Sequence, residues 1–254
     1  MPKEEGRGAG GPLTAWQNRA SHIGRTPTVA TCCQECARPR RPVPAPVTFP
    51  AGSSRHCTIL VVDIKDFTGR DDRAQIALRH SLFRLMSRSF DDAELPWRLC
   101  LHEDRGDGVL VVVPVPVPVA VLAPALVRRL GSGLAAHNRG AAGPVRFRLR
   151  AALHTGVVHR DPYGMVGGPL NHTFRLVDAP AVRDVLTAPG AELSFVVSDT
   201  AYRSMLRADG TCPLPLRPVT AETKRTRAPA WIWTGGSGPA SHAADPAGGG
   251  ADGH

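Results

Sequence analysis

The sequence predicts a single α/β domain over residues 55–234, set between two terminal segments that lack an apolar period. Three observations lead there. Residues 57–64 form a run of β-branched and aliphatic side chains long enough for a strand buried on both faces, and the Val-rich run after Gly108 reads the same way. Between these runs Ile76, Phe83, Met86 and Phe90 recur at helical spacing. Residues 1–54 and 235–254, by contrast, are rich in Gly, Pro, Ala and Ser; such segments bury too little apolar surface to offset their chain entropy and are expected to be disordered.

The elements follow in order. The first strand ends at Asp63, and the stretch 66–72 supplies capping residues for a helix that runs to Asp91-Asp92. Residues 97–113 read as a hairpin turning at Arg105-Gly106, with Glu103, Asp104 and Asp107 gathered at the turn. Its second strand must stop near Val113, because Pro114, Pro116 and Pro118 cannot donate ladder bonds in an interior strand. A helix is predicted over 119–138, weakened by Gly131 and Gly133. Residues 145–158 begin by alternating apolar and basic side chains, the pattern of a strand with one wet face. A glycine-rich loop over 161–168 leads into a helix over 169–186, then a strand at 193–198, a helix, and a closing hairpin over 215–233. Trp231 and Trp233 share a strand face and are read as core.

The net charge of +9 raises the question of a nucleic-acid partner. Eight Lys or Arg against three Glu in residues 1–56 place +5 of that charge in the N-terminal segment, and aromatic residues make up only 5% of the chain, so no basic stripe with interleaved aromatics supports nucleic-acid binding. Such binding through the tail would be strongly salt-dependent and lost on removing residues 1–54. Cys32-Cys33-x-x-Cys36 has half the spacing of a zinc site, with no second pair to complete it. No secretory segment and no apolar run near 18 residues stands out, so a cytoplasmic protein with reduced thiols and no membrane association is expected. The Arg, Ala, Pro and Gly content resembles that of proteins from GC-rich actinobacteria.

Chemistry concentrates at the strand ends. If the strands bearing Asp63 and Asp107 are neighbours, both carboxylates emerge at one edge of the sheet. There they could hold a pair of Mg²⁺ ions suited to in-line attack at phosphorus. Backbone N–H groups of residues 64–67, ahead of a helix, are expected to face phosphate oxygens. Asn171 and Arg175 lie one helical turn apart, an amide and a guanidinium able to orient a ribose and neutralise phosphoryl charge. His154 and His159, an odd number apart on a strand, point to opposite faces and are read as structural.

The segments Asp63-Ile-Lys-Asp-Phe-Thr68, Glu103-Asp-Arg-Gly-Asp107 and Gly168-Pro-Leu-Asn-His-Thr-Phe-Arg-Leu176, followed by Leu193-Ser-Phe-Val-Val-Ser198, resemble in order and spacing the class III nucleotidyl cyclase catalytic domain. The resemblance covers roughly residues 56–234. It implies an α+β sandwich with a ferredoxin-like βαββαβ core and a C-terminal hairpin. It also implies two Mg²⁺ or Mn²⁺ ions at Asp63, Ile64 and Asp107, and a transition-state pair Asn171 and Arg175. Phe67 and Thr68 fall in the substrate-binding stretch, and Lys224 or Arg225 stands where the family binds the triphosphate. The family further implies a homodimer in which one subunit holds the metals and the other supplies Asn and Arg, with a nucleoside triphosphate converted to a 3′,5′-cyclic nucleotide and pyrophosphate. Glu103 stands at a base-reading position where lysine is usual in adenylyl cyclases, which favours GTP. The second base-reading position falls on Gly164, which has no side chain to read with and leaves pyrimidine triphosphates open. His172-Thr-Phe174 is bulkier than the small residues usual there. The alternative is a domain of this fold that binds nucleotide without turning it over and serves as a regulatory or interaction module.

Overall fold

The computed structural model describes residues 49–95, 97–113, 117–223, 226–233 and 235. Lys224, Arg225, the Cys32–Cys36 cluster and the bulk of both terminal segments lie outside the described residues.

β1 (Ser54–Ile64) is the central strand, and its buried run from Cys57 to Val62 is what a strand covered on both faces requires. It pairs antiparallel with β3 (Gly108–Val113) on one side and with β4 (Leu149–Asp161) on the other. β2 (Leu101–Asp104) extends the sheet beyond β3, while β6 (Leu193–Ser198) joins β4 in the one parallel pairing among the described residues. β7 (Leu216–Thr223) and β8 (Thr226–Trp233) form the closing hairpin, giving the order β2-β3-β1-β4-β6-β8-β7. A short β5 (Gly164–Val166) pairs back on β4 within the segment expected to be a loop.

α1 (Asp72–Asp92), capped by the Asp71 carboxylate accepting from the Ala74 N–H, and α2 (Val119–Gly140) cover one face of the sheet. Leu78, Leu82, Met86 and Phe90 of α1 and Leu122, Leu126, Leu130 and Leu134 of α2 meet Leu60, Val62, Val111, Leu153 and Phe195 there. The predicted stripe is thus shifted: Ile76 is 58% exposed, because Leu78 rather than Ile76 completes the i, i+4 row with Leu82, Met86 and Phe90. α2 is long and apolar enough to cross a membrane by length and composition, a run the sequence reading passed over, but its leucines are buried in this core. Trp231 and Trp233 pack against the same core, as expected, and Trp231 stacks on Tyr202. α5 (Asp199–Met205) closes this side.

The opposite face carries the second core, where α3 (Gly168–Val177) and α4 (Pro180–Val185) pack Leu170, Leu176, Val177 and Val182 against Ile59, Val61, Val112, Ala152 and Val196. The single helix predicted over 169–186 is therefore two. Pro180 has no N–H to continue α3 and drives Ala179 into extended backbone, and it begins the next helix at the position proline prefers.

Gly108 sits opposite Asp63 in the β1–β3 ladder, and a Cβ there would lie 2.2 Å from the Val62 carbonyl oxygen. This close approach seats Asp107 beside β1, with its carbonyl accepting the Ile64 N–H at 2.9 Å. Gly108→Ala is expected to lower stability by about 2 kcal/mol, since backbone must shift to admit the methyl. Urea unfolding of that variant, compared with Gly143→Ala, where nothing lies within 4 Å of an added Cβ and no positive φ is required, checks the contact.

Candidate active site

Asp63 and Asp107 do emerge at the same edge, on neighbouring strands, and the charge of Asp107 is felt at Asp63. The Asp63 side chain is only 13% exposed, and burial pushes its carboxyl up to about 6 against the opposing pull of Arg150, with Asp107 and Asp178 adding to the rise. Arg150 stands opposite Asp63 in the β1–β4 ladder and donates to its Oδ2. Its other terminal nitrogen is 3.6 Å from Asp178 at the end of α3. Arg150 Nε and the neighbouring Ser194 Oγ, paired in register across β4 and β6, are buried without a hydrogen-bond partner among the described residues. The edge therefore combines two acidic side chains with unspent donor capacity, a set of groups suited to a cation and the oxygens of a polyphosphate.

No group of three or more His, Cys, Asp or Glu that could hold a metal is found among the described residues. Magnesium is content with one or two carboxylates when substrate oxygens complete its shell, so Asp63 and Asp107 fit such an ion bound together with phosphate. Ile64 is buried, so only its backbone could contribute. Phe67 likewise points into the core, while Thr68 is exposed. The expectation for the N–H groups of residues 64–67 is corrected in part: those of Ile64 and Lys65 donate to Asp107 and Arg148 carbonyls, and α1 begins only at Asp72.

The other half of the constellation lies toward the opposite end of α3. From Asp178, beside Arg150, back to Asn171 is two turns of helix, about 10 Å. Asn171 and Arg175 are both exposed on α3, and Asn171 lines a cavity of about 430 Å³ together with Arg105, Met165, Leu170 and Phe174. Glu103 and Gly164 come together at this end. Glu103 Oε1 accepts the Met165 N–H at 3.1 Å, and a Cβ on Gly164 would lie 2.9 Å from that same oxygen. With φ at +145°, position 164 suits glycine on backbone grounds as well. The Glu103 carboxylate thus fills the space that a side chain at 164 would use.

His172 and Phe174, the bulky residues between Asn171 and Arg175, each have a partner. The His172 ring packs edge-on against His154 at 4.8 Å, and the Arg105 guanidinium lies 5.3 Å from the centre of the Phe174 ring. His154 is buried and shares a 2.7 Å hydrogen bond with Ser198 Oγ, the cap of α5, in keeping with the structural role expected for it; His159 is exposed. Larger concavities of about 650 and 620 Å³ lie along α2 and beside Lys65, and include none of the paired acidic or α3 residues.

The sequence reading did not single out Arg150 or Arg105. Arg150 looked like one of three alternating basic residues on a wet strand face, and only the β1–β4 register puts it on Asp63.

No protein-family model matches the sequence, and no curated protein does. Solved structures do match. The guanylyl cyclase Cya2 aligns over 72% of this chain and 93% of its own, with 20% identity and a TM-score of 0.54. The guanylate cyclase domain of RhGC from Catenaria anguillulae, solved in complex with GTP, aligns over 73% of this chain and all of its own at 16% identity, with a TM-score of 0.52. The adenylate/guanylate cyclase/hydrolase from Silicibacter pomeroyi gives 16% identity and 0.51 over 72% of this chain and 98% of its own. The fold is that of class III cyclase catalytic domains. The α+β sandwich expected from the motifs is therefore the one observed.

Proposed function

We propose that this chain is a nucleotidyl cyclase that converts a nucleoside triphosphate, GTP in the first instance, into a 3′,5′-cyclic nucleotide and pyrophosphate. The observation that carries this reading is the separation of two chemically complementary half-sites along α3 on a cyclase fold. Asp63, Asp107 and Arg150 stand at one end, and Asn171 stands at the other with Glu103 and Gly164. A symmetric homodimer would set the first half-site of one subunit against the second half-site of its partner, giving two composite sites.

In such a site Asp63 and Asp107 hold Mg²⁺ or Mn²⁺, which when bound lowers the pKa of the ribose 3′-hydroxyl and offsets triphosphate charge. The Arg150 guanidinium, which donates to Asp63 and keeps its Nε donor unsatisfied, would be available to phosphate oxygens of a substrate bound at this edge. Asn171 holds the ribose so that its 3′-oxygen faces the α-phosphorus, and Arg175 neutralises charge on the transferring phosphoryl group. The 3′-oxygen forms the new bond to phosphorus, its proton passes to solvent, and the bond to the bridging α–β oxygen breaks with departure of pyrophosphate.

The test is incubation of the purified protein with each of the four ribonucleoside triphosphates and Mn²⁺ or Mg²⁺, with products read by mass spectrometry. A 3′,5′-cyclic nucleotide is expected. Absence of product at concentrations where the protein is dimeric would favour the nonturnover binding module instead. The ion pair that occupies Asp63 in this structure is the feature that speaks for that second reading.

A further inference from the structure

We propose that Arg105 and Glu103 together read the O=C–N–H edge shared by guanine and uracil, which makes Arg105 a specificity-determining residue of the nucleotide site. The proposal rests on the nucleotide-binding reading above and deepens it.

Glu103 is not a lone carboxylate facing an open pocket. Its Oε1 is held by the Met165 N–H, and its Oε2 accepts from an Arg105 terminal nitrogen at 2.6 Å. A carboxylate oxygen has two acceptor directions, so each oxygen keeps one after these bonds. Arg105 is fixed from two sides, by that ion pair and by the Phe174 ring beneath it, although its side chain is 42% exposed. A guanidinium carries five N–H donors in a rigid fork, and the bond to Glu103 uses one of them. The rest of the fork faces the cavity that Arg105 lines with Asn171, Met165 and Phe174. Because Gly164 lends no side chain, the polar side chains lining the cavity are Arg105 and Asn171, and Glu103, outside that lining, is the acceptor ion-paired to the Arg105 donor.

That order matters. Guanine presents O6 next to N1–H, and uracil presents O4 next to N3–H: an acceptor followed by a donor. Adenine and cytosine present the reverse, an amino group followed by a bare ring nitrogen. A paired Arg105 and Glu103 therefore complement the first two bases. Against the other two they set donor to donor and acceptor to acceptor, which leaves desolvated polar groups unmatched. Phe174 acts as a positioning residue, since it touches Arg105 and holds the plane of the guanidinium. The bulky residue that departs from the small ones expected before Arg175 thereby acquires a role.

The experiment measures binding rather than turnover. The full-length protein with Mg²⁺ is titrated calorimetrically with the 3′-deoxy triphosphates of guanosine, inosine, uridine, adenosine and cytidine, which lack the attacking hydroxyl. The guanosine, inosine and uridine forms are expected to bind at least about fivefold more tightly than the adenosine and cytidine forms, the lower end of what one bidentate base contact discriminates. Inosine, which lacks the 2-amino group, separates reading of the shared edge from reading of that amine. Arg105→Leu is expected to erase the preference, with circular dichroism and thermal unfolding of that variant reporting an intact fold. Arg105→Lys is expected to restore part of the preference, and Phe174→Leu to weaken it. An unchanged preference in Arg105→Leu, inosine binding as weak as adenosine, or binding of none of the five would overturn the proposal. Edge-selective binding without any cyclic product from the ordinary triphosphates would instead sink the cyclase reading and leave this one standing.

Discussion

Asp63→Ala and Arg175→Ala are each expected to abolish cyclic-nucleotide formation, with kcat down by at least about 100-fold, the usual cost of removing one group that stabilises developing charge. Mixed in equal amounts, the two inactive proteins are expected to regain activity. In a heterodimer one composite site receives both altered residues, and the other receives an intact Asp63 from one subunit and an intact Arg175 from its partner. Half of the randomly formed dimers are heterodimers with one working site in two, so recovery should approach about a quarter of the unaltered activity for an isologous pair. The measurement is a mixing titration at fixed total protein, with Asp63→Ala mixed with Asp107→Ala as the control. Those two residues belong to the same half-site, so a heterodimer built from them has neither site intact. No recovery in the test mixture despite subunit exchange would mean that each chain completes its own site, and recovery in the control would mean that Asp63 and Asp107 do not belong to one half-site.

The distribution of the proposed site explains what could be read in advance. Asp63, Asp107, Asn171 and Arg175 are legible because each belongs to a local pattern: a carboxylate at the end of an aliphatic run, or two polar residues one helical turn apart. The strands were equally plain, since β1 and β3 are continuous apolar runs. What escaped was set by neighbours distant in the chain. Arg150 has the same alternating context as Arg148, yet register places it on buried Asp63, whereas Arg148 donates to the Leu186 carbonyl. Arg105 belongs to the predicted turn, but its meaning comes from Phe174, far along the chain. β5 escaped for a different reason. Three residues give too short a run for alternation to show, and the Asp161 carboxylate that tightens its hairpin, accepting from the Tyr163 and Gly164 N–H groups, looks like any polar loop residue. The break at Pro180 alone was available locally, through the rule that proline disfavours helix in the residue before it.

His154 sets the second large effect, on stability rather than catalysis. Its ring is buried beneath α3, and burial, followed by the positive charge that His172 and His56 can carry, pushes its pKa down to about 4. Unfolded, the same imidazole would titrate at about 6.5. Between these values the unfolded chain binds the additional proton, so stability contributed by neutral His154 is present above pH 6.5 and is lost as pH falls toward 4. The loss should reach about 2 kcal/mol at pH 5 and on the order of 3 kcal/mol when complete. Asp63 acts in the opposite sense: its carboxyl is raised in the folded protein, so acidification through about 6 relieves the cost of its buried charge. The two terms partly cancel in the unaltered protein, and the informative quantity is a difference. His154→Gln offers Ser198 a polar partner without a titrating ring, so its urea-unfolding free energy should fall less between pH 7.5 and pH 5 than that of the unaltered chain, by about 2 kcal/mol. Parallel pH profiles for the two proteins would show that the imidazole is not held neutral by the packing of α3 on β4.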